Sequence, residues 1–131
     1  MDDLSIDKHN LQRECLRQVS LVVYWGKLLA KRKLELDKLK AEFELIEARL
    51  TVSLGKAFEK KPTVGELKAL VLKHSSYQAK QAEVLEAKRR VDSASAINVA
   101  LEHRRKSLDL IVQLLTHEFH STNTGTRVPK G

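Results

Sequence analysis

Two dense cationic runs are the clearest chemistry in this sequence: Lys27, Lys31, Arg32 and Lys33 in one stretch, and His103, Arg104, Arg105 and Lys106 in another. Such runs suit polyanions, with nucleic acid first, an acidic membrane second and an acidic protein third. Tyr24 and Trp25 adjoin the first run, and flat rings beside cations are what a single nucleic-acid strand requires, phosphates being neutralised while bases stack. The lysines and arginines of both runs, set against Glu102, leave a net +6 of the chain's formal +7. The plain alternative for these cations is a solvated face that keeps the protein in solution. Trp25 also has a second reading, because its helical spacing fits a packed seam.

Other reactive groups are sparse. His117, Glu118 and His120 lie close together but lack the further ligands of a closed metal site, so no metal and no cofactor are expected. Cys15, the only cysteine, excludes an intrachain disulfide, and with His9 as its nearest basic partner it reads as a small packed side chain. A glycine-rich phosphate loop, a nucleophile elbow and a histidine-carboxylate pair are all missing, and an enzyme is not expected.

The elements that must position the cations are helices. Apolar residues recur with steps of three and four: Val22, Trp25, Leu29, Leu36, Leu39, Phe43, Ile46 and Leu50, then Val84, Ala87, Val91, Ala94, Leu101, Leu108, Val112, Leu115 and Phe119. A period averaging 3.5 residues marks helices that pack along their length. Polar Arg32, Asn98 and Arg105 interrupt this seam, either fixing register or snorkelling to water. Trp25, Leu36, Phe43, Val91, Asn98 and Leu108 are the candidate seam contacts between helices or subunits.

Asp7 is a candidate N-cap for a short first helix, and a long helix is expected from Ser20 to Glu59, ended by Pro62. Thr63 three residues before Glu66 predicts a capping box and a short helix through Leu72. Ser75 or Ser76 then caps a last helix from Tyr77 to His117. The fold class is therefore all-α: a long antiparallel, coiled-coil-like helical hairpin with short N-terminal and turn helices. If the short helix forms the turn, Leu50 falls beside Val84, Phe43 beside Val91 and Trp25 beside Leu108. One helical domain covers residues 1–120, and 121–131, with Gly125 and Pro129, reads as a flexible tail.

Composition agrees with long helices: 131 residues, 5% aromatic, 31% charged. No apolar stretch is long enough to span a bilayer and no signal peptide is visible, so a soluble, cytoplasmic protein without a membrane partner is expected.

The acidic start, the Tyr24-Trp25 pair opening a long charged helix, the Thr63-Val64-Gly65-Glu66-Leu67-Lys68 turn segment and the run from Leu101 to Leu108 resemble small phage proteins of the UvsY-type recombination-mediator family. The likeness spans about residues 7 to 119. It implies a non-enzymatic, ring-like homo-oligomer that binds single-stranded DNA and helps a RecA-type recombinase replace single-strand-binding protein. The resemblance extends to Arg104, Arg105 and Lys106 as a basic segment of the last helix; the placement of charge and rings adds Lys27, Lys31, Arg32, Lys33 and Tyr24 as expected DNA contacts. The competing expectation is a structural coiled-coil component, of a virion or scaffold, whose partner is another helix.

Overall fold

A computed structural model describes residues 2–126, with side chains from 3 to 121. After a single 3-10 turn at Asp2–Leu4, the chain forms three helices: α1 (Leu11–Lys56), α2 (Val64–Lys73) and α3 (Ser75–Thr126). The fold is all-α, with α1 packed against α3 as a helical hairpin. Contacts sort the molecule into two compact units. One joins the chain up to Lys27 with the chain from Ala96 onward, and the other is Leu28–Ser95.

The first helix is continuous where two were expected. Asp7 closes a turn, its carboxylate accepting from the His9 amide at 2.9 Å and its carbonyl from the Asn10 amide at 3.2 Å. Asn10 is the residue that caps α1, its carbonyl receiving the Glu14 amide at 3.1 Å. Helix then runs through Ser20 and Gly26 without a break. Glycine costs about 1 kcal/mol there relative to alanine, and a Cβ at Gly26 would meet nothing within 4 Å.

Within the second unit, the capping box forms as the sequence predicts. Thr63 Oγ1 accepts from the Glu66 amide at 3.1 Å, and the Glu66 carboxylate accepts from the Thr63 amide at 3.4 Å. His74 alone separates α2 from α3, and it caps both. Its amide donates to the Val71 carbonyl at 3.1 Å, and its Nδ1 accepts from the Ser76 amide at 3.2 Å, a role expected of the serines.

Because α2 and α3 are nearly joined, chain reversal occurs between Lys56 and Thr63, and α2 is the first piece of the returning arm. A methyl group at Gly55 would sit 3.9 Å from Leu67, and Val71 of α2 is buried. This corrects the register. Phe43 packs against Tyr77, ring centroids 4.7 Å apart and planes tilted by 42°, fourteen positions before the expected Val91, and Glu42 meets Lys80 at 3.0 Å. Leu36, Val84 and Ala87 make the core of this unit, with Leu39, Phe43 and Val91 packed around it.

In the first unit, Trp25 lies opposite Asn98, not Leu108: Asn98 Nδ2 donates to the Trp25 carbonyl at 3.1 Å. Leu101 and Leu108 are buried. From Val112 to Ser121 every residue of α3 is exposed, so Val112, Leu115 and Phe119 do not join the seam; Val22 is exposed as well. The cause is the register, since α1 begins at Leu11 and its first turns are already spent opposite Leu101 and Arg104. Helix α3 extends to Thr126, overlapping the expected flexible tail at 121–126; residues 127–131 lie outside the described residues.

Candidate nucleic-acid interface

Each cation of the two runs has a distinct setting. Arg104 is 3% exposed, inside the first unit. Its guanidinium forms an ion pair with Glu14, donates from Nη1 to Gln18 Oε1 at 2.6 Å and from Nη2 to the Ser5 carbonyl at 3.2 Å. Gln18 in turn donates to the Leu101 carbonyl at 2.8 Å, and Arg17 bridges Glu14 at 3.9 Å and Asp3 at 3.2 Å. Arg104 is therefore a structural residue and is withdrawn from the DNA-contacting set. Burial of a charge is tolerable only when it is paired and hydrogen-bonded; Arg104 meets this through both terminal nitrogens, while its Nε is buried without a hydrogen-bond partner.

Both arginines were expected to contact DNA, with Arg105 at a seam position; the structure buries Arg104 instead. Arg105, expected in the seam, points outward and pairs with Glu102 at 2.6 Å and Asp109 at 3.1 Å. The hydrogen bond from Arg105 holds the Glu102 carboxyl below its ordinary range, and the same bond raises Arg105. Its charge is locally balanced. Arg32 is half-buried and, like Arg105, paired with an acid, Glu35 at 3.1 Å.

The lysines differ. Lys27 and Lys106 in the first unit, and Lys31 and Lys33 in the second, are exposed, and no salt bridge reaches them among the described residues; His103 is exposed in the same way. Tyr24 is 60% exposed, and Lys27 follows it by three residues on α1, a spacing that puts both on one helix face. Trp25 stands edge-on to the Tyr24 ring at 5.2 Å and is half-buried, its Nε1 buried with no hydrogen-bond partner. The tyrosine is thus the ring available to a base, while the tryptophan belongs to the packed side.

The expected convergence of both runs is not made inside the first unit. The Arg104 segment faces Glu14 and Gln18, and Lys27 lies nine residues further along α1 than Gln18, about 13 Å of helix rise. Lys31, Arg32 and Lys33 belong to the second unit. Charge is divided unevenly: residues 28–95 hold 15 lysines and arginines against 10 acids, and the remainder 9 against 7.

Sequence reasoning overlooked Glu14 and Gln18. They continue the seam of α1 backward from Trp25 through Leu21, Gln18, Glu14 and Leu11 in steps of three and four, so two polar residues at packed positions were the available signal. Among the described residues, no group of three or more histidines, cysteines or acids is arranged to hold a metal ion, and no helix is long and apolar enough to cross a membrane. No protein-family model, curated protein or solved structure matches the chain.

Proposed function

We propose that this is a non-enzymatic, self-assembling helical protein that holds single-stranded DNA and serves as a recombination mediator, helping a RecA-type recombinase displace single-strand-binding protein. The observation carrying the DNA-binding part is the exposed Tyr24 ring beside unpaired Lys27 on one face of α1. Stacking on the ring and phosphate neutralisation by the lysine are complementary and independent of base identity. Within the first unit, exposed Lys106 is a further phosphate contact in this reading, whereas Arg104 is excluded. Linking modest contacts through several subunits raises total avidity. The mediator role and the ring-like assembly rest on the family resemblance.

A labelled oligonucleotide titration tests this reading. Tyr24→Ala should weaken binding by at least about fivefold, the loss of one stacked base, and Lys27→Glu with Lys106→Glu should weaken it further. Unchanged affinity in both variants rules out the surface.

One observation favours a second reading, in which another helix is the partner. Leu16, Val19 and Val23 are exposed on α1 at steps of three and four, an apolar stripe separate from the packed seam. A wild-type protein that ignores the oligonucleotide, yet loses its oligomeric mass on Val19→Glu substitution, is a helix-binding scaffold component.

A further inference from the structure

The reversal between α1 and α2 encloses a groove of about 590 Å³ within the second unit. Phe58, Pro62, Ala69 and Leu70 supply its apolar lining, and the Phe58 ring is 46% exposed. Lys60, Lys61 and Lys73 also line it, and none has a salt bridge among the described residues. The single acid in the lining, Glu66, has its carboxylate engaged with the Thr63 amide at 3.4 Å. From Lys56 to Lys73 the chain carries five lysines against two glutamates.

We propose that this groove is a docking site for an acidic peptide segment that carries a bulky apolar side chain, a partner independent of the nucleic-acid reading. The volume lies within the range of pockets that take a small ligand or a few side chains. An apolar residue of the peptide covers Phe58, Pro62 and Leu70, and its carboxylates approach the three lysines. Charge complementarity selects an anionic partner and the aliphatic lining selects a peptide: a nucleic-acid strand needs successive aromatic faces for stacking, and the groove offers one ring. A bilayer is disfavoured because the apolar surface is concave, whereas interfacial binding uses a continuous helical stripe.

The test uses the full chain and a fluorescein-labelled peptide of four aspartates followed by two leucines and a phenylalanine. Two control peptides accompany it: one with asparagines replacing the aspartates, and one of aspartates alone. Saturable binding of the first peptide, weakened about tenfold or more in each control, is expected, because both charge and apolar burial contribute. Lys60→Gln with Lys61→Gln should weaken binding about tenfold, and Phe58→Ala about fivefold, while helical circular dichroism stays at the wild-type level. Ala69→Trp, which fills the groove and keeps the lysines, should block the peptide. Equal binding of the aspartate-only peptide overturns the proposal, as does unaltered binding in Ala69→Trp. Competition by an oligonucleotide or by anionic phosphatidylserine vesicles that is lost in Ala69→Trp would assign the groove to that ligand and also overturn it. Failure here leaves the Tyr24 and Lys27 surface intact, because neither residue lines the groove.

Discussion

Arg104→Ala is expected to destabilise the protein by about 3–5 kcal/mol, because it takes the close partner from the buried Glu14 carboxylate and leaves only Arg17 at 3.9 Å. Gln18 Oε1 and the Ser5 carbonyl each lose the hydrogen bond from Arg104 in the same step. Urea denaturation followed by circular dichroism at one protein concentration measures this, the concentration being held because assembly shifts apparent stability. Glu14→Ala should cost a similar amount. The double variant Glu14→Leu with Arg104→Leu should recover most of the loss, since replacing a buried pair by apolar side chains is often neutral or better. A change below about 1 kcal/mol for Arg104→Ala would mean that the guanidinium is solvated. The stable double variant also separates structure from binding: its oligonucleotide affinity should stay within about twofold of wild type if Arg104 makes no phosphate contact.

Leu101→Ala should cost about 2–5 kcal/mol, the range for a leucine whose removal leaves a cavity. Leu101 is 1% exposed, the most deeply buried large side chain described. Leu115 lies two heptads later on the same seam of α3, yet it is 45% exposed. Leu115→Ala should therefore stay within about 0.5 kcal/mol, as surface substitutions do. The pair is a direct test of register, because the sequence pattern treats both leucines alike. Equal costs for the two would contradict the observed pairing of α1 with α3.

That equivalence explains why register was the part of the fold least visible in the sequence. A seam repeating every seven residues is unchanged by a slip of two heptads, so Phe43 could be matched to Val91 as well as to Tyr77. The deciding fact was where the chain turns. Pro62 and the Thr63-Glu66 box located the start of α2 correctly, yet nothing in its apolar pattern said that α2 begins the returning arm. His74, a single extended residue, is too small a break to be read as a near-continuous join.

The all-α class and the long helices were legible because the 3.5-residue period and the scarcity of proline leave few alternatives. The candidate site was legible only in part. Adjacent Arg104 and Arg105 both satisfy a step of three or four from Leu101, so sequence spacing cannot say which faces inward; the partners Glu14 and Gln18 decide it. The acidic start likewise proved structural where it is described, with Asp3 paired to Arg17 and Ser5 receiving Arg104. The lysines and arginines of the two runs differ in setting. A planar, multidentate guanidinium readily finds carboxylates and carbonyls within its own fold, whereas Lys27, Lys31, Lys33 and Lys106 keep their ammonium groups in solvent.

The central claim, that the Tyr24 and Lys27 face of each subunit holds a single strand through its bases and phosphates, is tested most directly by the salt dependence of binding to a labelled oligonucleotide. Neutralising about four phosphates across the assembly, each contributing a slope near 0.7, predicts roughly a 50-fold loss of affinity between about 50 and 200 mM salt. Affinity that changes by less than about twofold over that interval would contradict it.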